Sequence, residues 1–338
     1  MRRDEVQDSV PHNGSDCFPP LVDDAIVLTG PTASGKSAVA MELAERIDGE
    51  ILSLDSIAVY RGMDIGTAKP SRSDRQRVVH HMIDVVDPSD DYSVARYLRT
   101  AHEIVADLRR RNRRAIFVGG TPMFLKAILR GFDPGPPADW QFRQAVEADV
   151  EKYGSEALHQ RLRQVDPVAA HNIGVNDVRR MIRALEVARY TGQPISHRQT
   201  QFGHARKPDD CLVFKMQVPR DQLHQRINQR VEAMFDQGLV NEVQSLIDKF
   251  QTLSRTATQA VGYREVIEWI KNGGDLELTK SEVAAHTRQL ARRQETWLRS
   301  FSEAQALPAA DPMDAKELAD RISRRVLANI GRLPNIKT

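Results

Sequence analysis

Short apolar runs alternate with longer amphipathic stretches over the first third of the chain. Three such runs, Ala25–Thr29, 50–54 and 115–118, each end in glycine, aspartate or small polar residues. The stretches between them, such as 93–113, repeat apolar positions at helical spacing. Strands that alternate with helices are typical of parallel α/β sheets, in which ligands bind at the carboxyl ends of the strands. The pattern therefore predicts a doubly wound parallel sheet.

The pattern becomes wholly helical from about Ala138 to about Gly192, and an apolar run typical of a strand returns at 211–218. Segments rich in proline and glycine, 131–137 and 192–208, indicate the borders of the helical part. The predicted divisions are an α/β core of residues 25–137 and 209–306, an inserted all-helical domain of residues 138–208, and a C-terminal helix and tail of residues 307–338.

Composition narrows the class of protein. The chain has 338 residues, 41% hydrophobic and 28% charged, which is ordinary for a soluble protein. Residues 1–24 are rich in proline and lack an apolar stretch, so we predict a disordered leader and neither a signal peptide nor a membrane anchor. Cys17 and Cys211 are far apart, which argues against a disulfide framework and a zinc site. We expect a cytoplasmic monomer with no membrane partner.

The first apolar run leads into a phosphate-binding pattern, Gly-x-x-x-x-Gly-Lys-Ser. Its eight residues are Gly30, Pro31, Thr32, Ala33, Ser34, Gly35, Lys36 and Ser37, and an amphipathic helix follows. In such loops backbone N–H groups and a helix N-terminus surround the phosphates, the lysine adds a charge, and the serine hydroxyl can ligate Mg²⁺. We therefore predict a P-loop NTPase-like α/β fold that binds a polyphosphate, with Ser37 as a Mg²⁺ ligand.

Polar residues also follow the second and third runs. Asp55 comes after the second run, and Gly119-Gly120-Thr121 after the third, so Asp55 and Thr121 should lie beside the phosphate loop. Asp55 could bind Mg²⁺ through water, accept a proton from a nucleophile, or cap a helix. No carboxylate ends the third run, which disfavours an ordinary nucleotide hydrolase.

The net charge of +2 conceals two basic segments. Residues 161–207 contain nine Lys or Arg and three Asp or Glu, and residues 286–299 contain four Arg and one Glu. Such segments are either solvated helix faces or footprints for a nucleic acid backbone. Arg226 and Arg230 lie one helical turn apart after the returning strand. We predict Arg230 as a second phosphate clamp, with a surface salt bridge as the alternative.

Seven blocks, in order, resemble the tRNA dimethylallyltransferases of the bacterial type. They are 30–37, 55–56 with 60–70, 80–85 with 87–88, 119–121, 176–177 with 179–186, 261–265, and 292–297. The resemblance spans about residues 26–299. It implies transfer of a dimethylallyl group from dimethylallyl diphosphate to N6 of the adenosine 3′ of a tRNA anticodon. The phosphate loop would then bind the diphosphate leaving group, and the helical insertion would bind tRNA.

The resemblance also implies roles for individual residues. Asp55 would accept the N6 proton, Lys36 and Mg²⁺ would neutralise the diphosphate, and Thr121 would contact the diphosphate or the target nucleotide. The expected tRNA contacts are Asp55, Ser56, Ile57, Ala58, Thr121, Arg143, Arg179, Arg180, Met181, Ile182, Arg183, Thr258, Gln259, Ala260, Val261, Gly262 and Tyr263. Arg292 and Arg293 are further candidates for phosphate contact, and we predict Trp297 in the core.

Two features depart from the family pattern. Ile57-Ala58 stands where the family commonly has Met-Gln, and Phe124 stands where it often has Tyr. Three alternatives to tRNA prenylation stay open at this point. A small-molecule P-loop kinase would consume ATP, a transferase for free adenine nucleotides would need no tRNA, and an RNA-binding module would form no product.

Overall fold

The computed structural model describes residues 17–198 and 205–329. In these ranges the strands are β1 Ala25–Thr29, β2 Gly49–Leu54, β3 His80–His81, β4 Arg114–Gly119, β5 Val213–Gln217 and β6 Gln305–Pro308. The helices are α1 Lys36–Ile47, α2 Arg72–Arg77, α3 Val94–Arg110, α4 Pro122–Arg130, α5 Trp140–Val165, α6 Pro167–Asn172, α7 Val178–Thr191, α8 Ile195–Arg198, α9 Arg220–Asp236, α10 Leu239–Lys249, α11 Arg255–Thr258, α12 Tyr263–Asn272, α13 Leu276–Leu298 and α14 Ala315–Asn329.

The six strands form one parallel sheet in the order β3-β2-β4-β1-β5-β6. β1 lies inside it, with Val27 opposite Phe117 of β4 and Val213 of β5. All five residues of β1 are buried, as expected when helices cover both faces of a parallel sheet. The predicted α/β fold class is confirmed. No helix in the described ranges is long and apolar enough to cross a membrane.

The described chain divides into two compact units. The α/β unit comprises residues 19–131 and 205–329, and the helical unit comprises residues 17–18 and 132–198. The core of the helical unit contains Val146 and Leu162 of α5 and Met181 and Leu185 of α7. α5 is interrupted at Gly154, where φ is 81°.

The two ends of the described α/β unit are packed. Leu21 and Val22 are only 3% and 1% exposed, and the Leu21 N–H donates to the Ile128 carbonyl at 2.9 Å. The predicted disordered leader is therefore wrong for residues 19–24, because this apolar pair joins the core; residues 1–16 lie outside the described part. At the other end, Ile322 and Val326 of α14 belong to the same apolar cluster as residues of α1.

Candidate active site

The phosphate loop connects β1 to α1, and its glycines are required by geometry. Gly35 has φ 87°, and a Cβ there would lie 2.5 Å from Met313 Cε. A Cβ on Gly30 would lie 2.9 Å from the Met216 Cβ. The Thr29 hydroxyl donates to the Gly119 carbonyl at 2.8 Å, which joins the start of the loop to the end of β4. The loop is thereby fixed at the carboxyl edge of the sheet.

Lys36 lies at the first position of α1 and turns back over the loop. Its Nζ donates to the Pro31 carbonyl at 2.6 Å and to Ser34 Oγ at 3.4 Å. Burial, together with the nearby charge of Arg230, lowers the pKa of Lys36 to about 7, and the charge of Asp55 opposes this shift. A cation that is desolvated in this way lacks a sufficient counter-charge. A bound diphosphate would supply that counter-charge.

Asp55 follows β2 and caps the turn after it with one oxygen. Asp55 Oδ1 accepts hydrogen bonds from the Ile57 N–H at 2.8 Å and the Ala58 N–H at 3.3 Å. Within the described residues, Oδ2 has no hydrogen-bond partner in the protein. Asp55 can therefore cap the turn and also take part in the reaction, because the two hydrogen bonds to Oδ1 hold the carboxylate in place and leave Oδ2 available.

Thr121 follows β4 and lies next to Asp55. The Thr121 N–H donates to the Leu54 carbonyl at 3.1 Å, and its Oγ1 accepts from the Ser56 N–H at 3.1 Å. The hydroxyl can still donate its own hydrogen to a ligand. Phe124, one turn into α4, is buried and stacks on Tyr97 with the ring centroids 4.0 Å apart. Phe124 therefore packs the core instead of lining the site.

Arg226 and Arg230 of α9 have different partners. Arg226 forms an ion pair with Asp311 and donates to the Ser34 carbonyl at 3.5 Å. Arg230 donates to the Thr67 carbonyl at 3.3 Å and, across the described ranges, has no carboxylate within ion-pair distance. Burial lowers the pKa of Arg230, and the charge of Asp55 counters that shift. The salt-bridge alternative thus describes Arg226, whereas Arg230 stays available to an anion.

Sequence reasoning did not single out Gln294, which lies on α13. Its Oε1 accepts from the Thr32 N–H at 2.8 Å, and its Nε2 donates to the Gly120 carbonyl at 3.0 Å. A Cβ on Gly120 would lie 2.7 Å from the Gly30 carbonyl oxygen and 2.7 Å from Gln294 Nε2, and because the first is a backbone atom, glycine is needed there. Gln294 lies within the 292–297 block, and this was the only sequence signal for its role.

Glu242 of α10 was also missed, and it holds a loop beside Arg230. Its carboxylate accepts from three consecutive backbone N–H groups, at 3.0 Å, 2.8 Å and 3.3 Å for residues 64, 65 and 66. It also accepts from the Tyr263 hydroxyl at 2.6 Å. The next residue of this loop is Thr67, whose carbonyl contacts Arg230. Glu242 therefore fixes the loop of residues 64–67, to which Arg230 donates its hydrogen bond.

Comparisons with known proteins identify the family. The IPP transferase family matches residues 58–301. The chain belongs to this family. A tRNA dimethylallyltransferase from Rhodopirellula baltica is 57% identical over 316 residues, which are 91% of this chain and 95% of that protein.

Two solved structures that resemble this chain are also prenyltransferases that are described as acting on tRNA. The full-length tRNA isopentenylpyrophosphate transferase of Bacillus halodurans superposes with a TM-score of 0.66 and 34% identity over 91% of this chain and 98% of that chain. A eukaryotic dimethylallyltransferase, described as acting on tRNA, superposes with a TM-score of 0.77 and 25% identity over 90% of this chain and 79% of that one.

Several side chains predicted to contact tRNA in this IPP transferase family member are instead in the core. The buried residues and their exposed fractions are Ala58 6%, Met181 0%, Ile182 3%, Ala260 7% and Tyr263 1%. The prediction is wrong for these side chains. In α7 the reason is helical periodicity, which turns Met181 and Ile182 toward the core of the helical unit and leaves Arg179 and Arg180 exposed.

The arginines predicted to contact tRNA differ in their freedom to bind a phosphate. Arg143 and Arg183 both pair with Glu186, a fully buried carboxylate, at 2.8 Å and 2.5 Å. Arg183 also donates to two carbonyls, those of Pro134 and Pro136. Arg180 pairs with Asp177 at 3.3 Å. Arg179 is exposed and has no carboxylate partner in the part of the chain that the structure describes.

The other predicted contacts have exposed or half-buried side chains. They are Ser56, Ile57, Thr258, Gln259 and Val261, whereas Gly262 is a buried turn glycine with φ 94°. Trp297 is 42% exposed, so its predicted place in the core is wrong. α13 buries Ala291 and Leu298, and Trp297 lies outside that stripe together with Arg293.

The oxygen donors at the site are few. Ser37 is exposed in the first turn of α1, and Asp55 follows β2 at the same edge of the sheet. Among the described residues there is no group of three or more His, Cys, Asp or Glu side chains that could hold a metal. Mg²⁺ commonly keeps several waters and binds through substrate phosphates with one or two protein ligands, so this sparse donor set fits it.

Proposed function

We propose that this protein transfers a dimethylallyl group from dimethylallyl diphosphate to N6 of the adenosine 3′ of a tRNA anticodon. One observation carries the proposal: two desolvated cations, Lys36 and Arg230, are close enough to Asp55 for its charge to affect the pKa of each. The cations suit a diphosphate leaving group, and the carboxylate suits a proton acceptor. The family membership supports tRNA as the substrate.

The diphosphate would be held by the loop of residues 30–37. The backbone N–H groups of the loop and the N-terminus of α1 favour an anion, and Lys36 and Arg230 add two full charges. Mg²⁺, bound by Ser37 Oγ and diphosphate oxygens, would supply further positive charge. As the allylic C–O bond breaks, the negative charge on the leaving oxygen grows, and groups already in place stabilise it most effectively.

Asp55 would receive the proton that the reaction releases. The adenine N6 forms a bond to the allylic carbon, the C–O bond to diphosphate breaks, and N6 loses one proton. Asp55 Oδ1 is fixed by two backbone N–H groups, so Oδ2 is positioned to take that proton. The Thr121 hydroxyl, 3.1 Å from the Ser56 nitrogen, can hydrogen-bond the diphosphate or the nucleotide.

The tRNA backbone would contact exposed arginines in both units. Arg179 lies in the first turn of α7 of the helical unit, and Arg292 and Arg293 are exposed on α13. Each phosphate contact releases counterions and adds to the salt dependence of binding. Action as a cytoplasmic monomer remains a prediction.

A matched pair of tRNAs tests the function. Protein, Mg²⁺ and labelled dimethylallyl diphosphate are incubated with an unmodified tRNA that has adenosine 3′ of the anticodon, or with the same tRNA carrying guanosine there. We expect label in the first tRNA only, and N6-(dimethylallyl)adenosine after digestion to nucleosides. Equal label in both would reject the position, and label in neither would reject the transferase.

A further inference from the structure

An open cavity lies on the surface of the helical unit. Its volume is about 330 Å³, and residues 136–141 and Tyr190 line it. Two large aromatic side chains in its wall are uncovered, since Trp140 is 62% exposed and Tyr190 is 49% exposed. Adjacent exposed aromatics of this size commonly mark a binding surface.

Hydrogen bonds hold the Tyr190 side chain in place at this surface. Asp139 caps α5 by accepting from the Phe142 N–H at 3.0 Å, and its carboxylate also accepts from the Tyr190 hydroxyl. The Asp139 N–H donates at 2.8 Å to Glu186, which is fully buried. The start of α5, which carries Trp140, is thereby joined to the end of α7, and the Tyr190 ring is held in place before any ligand arrives. Such preorganisation reduces the entropy cost of binding.

Cationic groups accompany both rings. The Arg143 guanidinium lies 5.1 Å from the centre of the Trp140 ring, and that of Arg189 lies 5.8 Å from the centre of the Tyr190 ring. Arg143 is held by an ion pair with Glu186, a carboxylate that it shares with Arg183. Arg189 is exposed and, within residues 17–198 and 205–329, has no carboxylate at ion-pair distance. An exposed positive charge without a direct ion-pair partner among the described residues therefore flanks an exposed aromatic surface.

We propose that Trp140 and Tyr190 form a platform on which an unpaired base of the tRNA stacks, with Arg189 contacting an adjacent phosphate. Aromatic faces beside free arginine are the combination with which proteins hold unpaired RNA bases. An apolar protein surface would leave the charge of Arg189 without a counter-charge. The inference rests on the proposed function, because it takes tRNA as the substrate.

The test compares exposed aromatics on the same helix. Trp140→Ala removes a platform ring, and Tyr153→Ala removes a ring that is 61% exposed but does not line the cavity. Stacking of one base contributes about 1–3 kcal/mol, so Trp140→Ala should weaken tRNA binding by about 5- to 150-fold. Its kcat at saturating tRNA should stay within about twofold of wild type. Tyr153→Ala should bind tRNA like the wild-type protein.

The salt dependence of tRNA binding distinguishes the contribution of the Trp140 ring from that of the Arg189 charge. Trp140→Ala should leave the slope of log Kd against log salt unchanged, because stacking releases no counterions, whereas Arg189→Gln should reduce that slope. Trp140→Phe and Tyr190→Phe should each keep much of the affinity that the alanine variants lose, and Tyr190→Phe should lose only the part that the hydrogen bond to Asp139 contributes. Tyr190→Ala is the second ring deletion, which matters if Trp140→Ala is poorly folded by circular dichroism.

The possible results distinguish a failure of the proposed stacking platform from a failure of the proposed transferase function. Transfer by the wild-type protein together with unchanged tRNA binding by Trp140→Ala and Tyr190→Ala would overturn the platform and leave the function standing. Absence of transfer by the wild-type protein would overturn the function itself. If the two deletions abolish self-association in gel filtration and leave tRNA binding intact, the surface is a protein interface and the platform is rejected.

Discussion

At the scale of single residues, the site holds positive charge in a place where water solvates it poorly. Burial lowers the pKa of Lys36 to about 7 and also lowers the pKa of Arg230. A buried cation is unfavourable unless an anion accompanies it. The carboxylate of Asp55 alone does not compensate for both. The free protein is therefore already arranged for a ligand with more than one negative charge.

This arrangement predicts that diphosphate binding takes up a proton above pH 7. Lys36 is largely neutral above its pKa of about 7 in the free protein, and a bound diphosphate raises that pKa. Binding must then bring in a proton, so affinity should fall by up to about tenfold for each unit of rising pH. Calorimetry at pH 8 in two buffers with different ionisation enthalpies measures the uptake. Lys36→Met is the control, and equal uptake by that variant would reject Lys36 as its source.

Asp55→Asn tests the proton acceptor. The amide oxygen can keep the hydrogen bonds from the Ile57 and Ala58 N–H groups, so the turn should be preserved. Loss of the base should lower kcat by about 10²- to 10⁴-fold and leave tRNA affinity within a few fold. Single-turnover transfer and tRNA binding are the measurements. A rate equal to that of the wild-type protein would remove Asp55 from the mechanism.

At the scale of structural elements, two kinds of site residue could be predicted: those consecutive in the loop pattern, and those that directly follow a predicted strand. The strand, the Gly30–Ser37 pattern and the helix are consecutive, and Asp55 and Thr121 follow strands whose ends must share one edge of a parallel sheet. Gln294 and Glu242 could not be placed in this way. Gln294 meets Thr32 across 262 positions of sequence. Such contacts depend on how helices pack, and no short pattern encodes that.

Glu242→Ala tests the support of the loop at residues 64–67. It deletes the acceptor of three backbone N–H groups and of the Tyr263 hydroxyl, and each unpaired group costs about 1–3 kcal/mol where water cannot reach it. We expect a lower free energy of unfolding, because these groups lose their partner. We also expect a raised KM for dimethylallyl diphosphate, because the Thr67 carbonyl no longer holds Arg230 in place. Glu242→Gln should restore part of both.

Glu268 provides the matched control for that experiment. It is an exposed glutamate on the neighbouring helix α12. Glu268→Ala should change neither denaturant unfolding nor KM. If Glu242→Ala behaves in the same way, the loop does not depend on this carboxylate.

At the scale of the whole molecule, the sequence predicted the parallel α/β fold class better than it predicted which side chains face outward. In α7, blocks of resemblance suggested that the whole run Arg179–Arg183 contacts tRNA, whereas Met181 and Ile182 are buried. The 3.6-residue period of a helix could have separated them. The pairing of Arg143 and Arg183 with Glu186 could not be foreseen, because it joins two helices.

The central claim is that the phosphate loop serves a prenyl transfer to tRNA and does not serve ATP chemistry. The most direct measurement supplies labelled dimethylallyl diphosphate and Mg²⁺ with tRNA, AMP and ATP as competing acceptors, and follows label and released diphosphate together. We predict label in tRNA alone, with one diphosphate released for each group transferred. Label in a free nucleotide, or ATP hydrolysis without any transfer, would contradict the account.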